Sequence, residues 1–120
     1  MDATELLFPD DSFDNVTFFY TLMYMTTEEQ QKSIREAARV LKAGKWMHIW
    51  DCDICSAYPE PFVIDLDVKS GTLKIHTAYG IVKRDAQSSD SIVHLLENAG
   101  LRIESLQEKD GQFHIQCRKG

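Results

Sequence analysis

The stretch that decides the fold is NVTFFYTLMYM, Asn15–Met25, followed after Thr26-Thr27 by EEQQKSIREAARVLKAGKWMHIWD, Glu28–Asp51. Asn15–Met25 is apolar on both parities and rich in Val, Phe and Tyr. It reads as a strand buried on both faces, the habit of a parallel sheet covered by helices. Thr26 and Glu29 have the spacing of a capping box, which predicts a helix start. Ile34, Ala37, Ala38 and Leu41 recur at i, i+3, i+4 and i+7 and share one helical face, and Gly44 supplies a stop. Trp46–Asp51 is a second short apolar run, one strand long. Strand, helix and strand in that order predict a parallel crossover unit.

Working outward, Pro59 and Pro61 punctuate the next loop. Phe62, Ile64, Leu66 and Val68 alternate with Val63, Asp65 and Asp67, and Leu73, Ile75, Thr77 and Tyr79 repeat the period after Lys69-Ser70-Gly71. The pattern predicts a hairpin with one solvated face. Ser89 or Asp90 as N-cap, Ile92, Leu95, Leu96 and Ala99 at helical spacing, and Gly100 beyond them predict a second helix. Two closing strands, Leu101–Leu106 and Phe113–Cys117, flank Asp110-Gly111, a tight-turn signal. On the residues alone, the fold class is α/β.

A chain of 120 residues is one small domain, and its 43% apolar and 27% charged composition is that of a folded protein. The formal charge of −6, with no local Lys/Arg cluster, predicts no nucleic-acid partner. No run approaches the roughly 20 apolar residues of a bilayer span, and Asp2 and Glu5 stand where a secretory leader is basic, so the expectation is no membrane partner and a cytoplasmic location. Three cysteines without an export signal imply no disulfide framework. Cys52 and Cys55 form a CxxC, but it follows a strand-like run instead of opening a helix and has no second pair, so neither redox nor metal use is expected of it. His48, His94 and His114 show no ligand spacing; the expected metal count is none.

DATELLFPDDSFDNV, Asp2–Val16, followed by a hydrophobic strand and then by IREAARVLKAGKWMHIWD, Ile34–Asp51, resembles the second half of a class I S-adenosylmethionine-dependent methyltransferase of the type 11 kind. Arg39-Val40-Leu41-Lys42-Ala43-Gly44-Lys45 stands where that family carries R-V-L-K-P-G-G, with Ala43 and Lys45 departing from its Pro and second Gly. IVHLLENAGLRIESLQEKDGQFHIQCRK, Ile92–Lys119, is similar to the family's last helix and terminal antiparallel hairpin. The likeness covers roughly Asp2–Asp53 and Ser89–Lys119. It implies a partial Rossmann-like sheet, parallel strands plus that hairpin, with helices.

The resemblance further implies methyl transfer from S-adenosylmethionine to a small-molecule acceptor, with Asp2 and Ala3 at the adenine and Phe18, Phe19 and Tyr20 beneath the methionine part. No G-x-G occurs in the chain. The family's Gly-rich cofactor turn, where bare backbone approaches the ligand, is therefore expected upstream of Met1, and the chain is expected to be a C-terminal half, inactive alone. Residues 56–87 would be an inserted substrate cap. Tyr24, Asp51, His76 and Tyr79 are the candidate acceptor bases by chemistry; Tyr24 and Asp51 fall at expected strand ends, where open α/β sheets bind ligands. A sheet lacking its other strands leaves Asn15–Met25 at an edge, and a homodimer through that strand or sheet face is expected. The alternative is a non-catalytic oligomerisation or regulatory module.

Overall fold

The computed structural model describes residues 2–54, 62–81 and 86–120, with backbone only for Phe62–Ser70 and Leu73–Ile81. The elements run β1 (Phe13–Phe19), a 3-10 turn (Leu22–Tyr24), α1 (Thr27–Val40), β2 (Leu41–Cys52), β3 (Phe62–Ser70), β4 (Leu73–Ile81), α2 (Ser89–Asn98), β5 (Leu101–Lys109) and β6 (Gln112–Lys119). Four strands make one sheet in the order β1-β2-β6-β5; β3 and β4 pair antiparallel as a separate two-stranded sheet. β1 and β2 are parallel, as the strand-helix-strand pattern predicts, while β6 runs antiparallel between β2 and β5.

The first strand is shorter than its apolar run. β1 stops at Phe19 because Tyr20 takes a left-handed conformation (φ 52°), and Thr21–Met25 folds into the 3-10 turn. Burial on both faces is also corrected: Phe18 is buried, but Phe13, Asn15, Thr17 and Phe19 are exposed. Side chains alternate across a strand, and the described helices cover only Phe18's side.

Helix α1 starts as its sequence indicates. Thr26 Oγ1 accepts from the Glu29 backbone N–H at 3.2 Å, and Glu29 Oε1 accepts from the Thr26 N–H at 3.1 Å, satisfying two of the helix's otherwise unpaired donors. The helix ends at Val40, earlier than Gly44, because Leu41 is already extended. Gly44 lies instead in a bulge: between Phe13↔Leu41 and Asn15↔Trp46, β2 advances five residues against two of β1, and its φ of +77° is open to glycine. For α2 the cap is Ser88, one residue before the expected Ser89 and two before the expected Asp90, and its hydroxyl accepts from the Ser91 N–H. Gly100 (φ +85°) turns the chain out of α2, and Asp110-Gly111, both at positive φ, close the β5–β6 hairpin as a two-residue turn.

The core lies on one side of the sheet. Phe18, Met47, Ile49, Phe113, Ile115 and Cys117 pack against Ile34, Ala37 and Ala38 of α1 and Ile92 and Leu96 of α2. Fully burying each large apolar side chain contributes roughly 1.5–3 kcal/mol, which holds both amphipathic helices to that face. The acidic N-terminal segment is tied to the end of α1. Arg39 donates to the Leu6 and Phe8 carbonyls, to Asp10 and to Glu36, and Glu36 in turn accepts from the Leu6 N–H. These bonds push the Arg39 guanidinium further up and hold the Glu36 carboxyl down. Among the described residues no helix is long and apolar enough to cross a membrane.

Candidate functional site

The carboxyl ends of the parallel strands β1 and β2, where open α/β sheets take ligands, meet the Asp110-Gly111 turn of the β5–β6 hairpin. A cleft of about 380 Å³ opens there, walled by Tyr20, Trp50, Phe113 and His114 and rimmed by Glu108, Asp110 and Gln112. The left-handed conformation of Tyr20 costs a bulky residue on the order of 1–2 kcal/mol. Two bonds hold it: its N–H donates to the Trp50 carbonyl at 2.7 Å, and its hydroxyl donates to Gln112 Oε1 at 3.0 Å. Burial, then the nearby Cys52 and Asp51, push the Tyr20 phenol above its ordinary pKa, so it serves as a neutral hydrogen-bonding group.

Behind the cleft lies a buried polar network centred on Asp51. One of its carboxylate oxygens accepts from the Met23 N–H at 3.2 Å, the other from the Cys52 N–H and the Gln87 side-chain amide, both at 2.9 Å. Gln87 also donates to the Cys52 carbonyl and accepts from Gln30, which donates to the Leu22 carbonyl. Ile54 and Gln87 exchange both backbone bonds, closing the excursion between them. The network fixes the 3-10 turn to the end of β2 and to the segment before α2. Asp51 is fully buried, and these donors occupy its oxygens.

The candidate residues are therefore only partly brought together. Tyr20 and Asp51 flank one another at the strand ends. Phe18 points into the core, whereas Phe19 is 65% exposed on the opposite face, edge-on to Tyr20 (4.8 Å) and to Trp50 (5.9 Å). Tyr24 is exposed on the 3-10 turn instead of ending a strand. Asp2 folds back on its neighbour: its carboxylate accepts from the Thr4 N–H and hydroxyl, which holds its pKa down. Ala3 lies in the same turn. His76 and Tyr79 lie on β4, paired in register with Asp67 and Ile64, and their side chains lie outside the described residues. So do the predicted solvated face of the hairpin and Cys55. Burial pushes the Cys52 thiol up to about 11, a poor nucleophile at neutral pH.

The described residues do not by themselves make a S-adenosylmethionine site. Asp2 is engaged by Thr4, Phe18 is consumed by the core, and no G-x-G turn exists to let backbone approach the ligand. The reading of the residues alone also missed an aromatic ladder on the sheet face that carries none of the described helices, the helix-free face. Trp46 stacks on His48 and His48 on Trp50 along β2, and both His48 and Trp50 stack with His114 of β6, the Trp50–His114 rings 4.2 Å apart and 8° from parallel, while Arg118 lies over Trp46. The W-x-H-x-W alternation was the signal, but it needed the β6 register, which sets Trp50 opposite His114, to acquire meaning.

A methyltransferase-domain family model matches residues 1–49. A search of curated proteins finds no match. Among solved structures, the PH0226 protein from Pyrococcus horikoshii OT3 is similar over 100% of this chain at 15% identity and TM-score 0.70. A S-adenosylmethionine-dependent methyltransferase from Clostridium acetobutylicum ATCC 824 is similar over 100% of the chain, at 15% identity and TM-score 0.68. The glycopeptide N-methyltransferase MtfA, complexed with sinefungin, gives 10% identity and 0.63 over the same extent. The chain spans 60%, 63% and 63% of those three. At such identities the likeness shows the fold, a mixed α/β sheet with two helices that matches methyltransferase-fold structures. By the segment that the family model matches and by the fold of its whole length, the chain resembles the class I S-adenosylmethionine-dependent methyltransferases.

Proposed function

We propose that this chain supplies the C-terminal part of a S-adenosylmethionine-dependent methyltransferase acting on a small molecule, and that transfer requires it to be joined with residues carrying the Gly-rich turn. The observation that carries the reading is the cleft at the carboxyl ends of β1 and β2, on a sheet whose last hairpin inserts β6 beside β2. Residues 56–87, with the β3–β4 hairpin inside them, would cap the acceptor and bring His76 to it. Asp51 acts as a positioning residue, holding Met23 and Gln87. Tyr20 and Tyr24 stand on the segment an acceptor would meet. Titration calorimetry with S-adenosylhomocysteine tests this: the chain alone is expected to bind more weakly than about 100 µM, near −5.5 kcal/mol. A low-micromolar dissociation constant would overturn the claim that the site is incomplete.

A second reading, a non-catalytic module that assembles through its sheet, is favoured by the helix-free face. Phe19 is exposed on β1, an edge strand of the four-stranded sheet. An unpaired edge next to apolar surface recruits a second chain, so a homodimer is proposed under both readings. Sedimentation velocity at micromolar concentration should give a dimer; a monodisperse monomer refutes it.

A further inference from the structure

His48 on β2 and His114 on β6 stand on the same face of the sheet, diagonally across the strand pair. His48 Nδ1 and His114 Nε2 are 3.4 Å apart, and both rings are half-buried, reachable from the helix-free side. Zinc–imidazole bonds of about 2.0–2.1 Å in a tetrahedral shell put two ligand nitrogens roughly 3.3–3.4 Å apart. The separation is thus that of one edge of a zinc tetrahedron; the rings, with centroids 5.6 Å apart and 21° from parallel, face each other across it, and each turns by a small angle to aim its lone pair at a shared ion. We propose that His48 and His114 form a two-histidine chelate for a tetrahedral divalent transition metal of the zinc class, with water or a further donor in the other two positions.

Two features of the surroundings support it. Each ring is held in place: His48 stacks on Trp50 at 5.6 Å and 13°, and His114 on the same indole at 4.2 Å and 8°, so little side-chain freedom is lost on binding. The cation of the ladder, Arg118, is drawn to Trp46 at 4.5 Å, opposite it at the far end from His114.

Without metal, the two facing nitrogens can share one hydrogen bond, one ring donating and the other accepting. Metal binding needs a lone pair on both. The donor ring therefore takes its other tautomer: the proton leaves the facing nitrogen and solvent supplies one to the far nitrogen. The exchange itself releases no net proton, and at lower pH protons compete with the metal for the two nitrogens.

Cobalt(II) reports tetrahedral coordination through its visible absorption, and zinc displaces it silently. Titrating Co²⁺ into the chain at pH 7.5 should give the intense tetrahedral bands at one equivalent, abolished by Zn²⁺. His48→Gln or His114→Gln should each weaken binding by more than the roughly 10–100-fold that loss of an outer-shell partner costs, while His94→Gln should leave it unchanged. Should a ladder variant not fold, imidazole ¹⁵N spectra of the unaltered chain decide: Zn²⁺ must shift Nδ1 of His48 and Nε2 of His114. Absence of saturable binding below about 1 mM, where binding energy falls to roughly 4 kcal/mol, or binding that survives both ladder substitutions, overturns the proposal.

Discussion

Removing the carboxylate of Asp51 should destabilise the fold more than any single surface change. Asp51→Ala strips the acceptor from at least three buried donors: the Met23 and Cys52 N–H groups and the Gln87 amide. A buried donor left unsatisfied costs about 1–3 kcal/mol, so three cost roughly 3–9 kcal/mol, the lower end applying if water enters the space. A 120-residue domain has on the order of 6–18 kcal/mol in total. The variant should therefore lose from about a sixth of the stability to all of it, in which case it fails to fold. Urea denaturation at pH 7 followed by tryptophan fluorescence measures it, the loss appearing as a lower midpoint at unchanged slope. Gln87→Ala and the double variant complete a cycle, for which contact within one network predicts coupling of about 0.5–3 kcal/mol. A loss under 1 kcal/mol in Asp51→Ala, or coupling indistinguishable from zero, would refute the claim that this network fastens the 3-10 turn to the strand end.

Gly111→Ala should cost about 1–2 kcal/mol, because the left-handed φ of +76° is strained for any L side chain even where the space is open; equal midpoints in urea would contradict this. Because burial and His48 put the folded pKa of His114 below its ordinary 6.5, the unfolded chain binds more protons as pH falls through 6.5; stability drops there and levels off below the folded pKa. His114→Gln should flatten that part of the stability profile, and an unchanged slope just below about pH 6.5 would count against it. Alkylation of Cys52 by iodoacetamide should be slow at pH 7 and still accelerate at pH 9, since its thiol sits near 11; a plateau below pH 8 would refute the burial argument. Phe19→Lys should shift any dimer toward monomer in sedimentation, because it places charge on the exposed face beside Trp50.

Local signals were the legible ones. The Thr26/Glu29 box, the apolar face of Ile34, Ala37 and Ala38, the exit at Gly100 and the Asp110-Gly111 turn each rest on residues a few positions apart, and each appears where the sequence places it. Asn15–Met25 was misread in its second half because what bends it is distant: Gln30 takes the Leu22 carbonyl and Asp51 takes the Met23 N–H. Periodicity registers the burial of Leu22 and Met23 but not the polar side chains that satisfy their backbone. The same reason separates Phe18 from Phe19, since which parity is covered depends on where the helices land. Asp51 was legible as a strand-end carboxylate but not as an occupied one. The His48–His114 pairing depends on a register that joins residues 66 positions apart, beyond the reach of local pattern.

The most direct test of the central claim is a titration of S-adenosylhomocysteine into the folded, isotope-labelled chain, followed by backbone amide NMR shifts. The account predicts weak binding, above about 100 µM, with perturbations confined to the strand ends at Phe19–Tyr24, Asp51–Ile54 and the Asp110-Gly111 turn. Shifts scattered over the helices, no shifts at millimolar ligand, or low-micromolar saturation would contradict it.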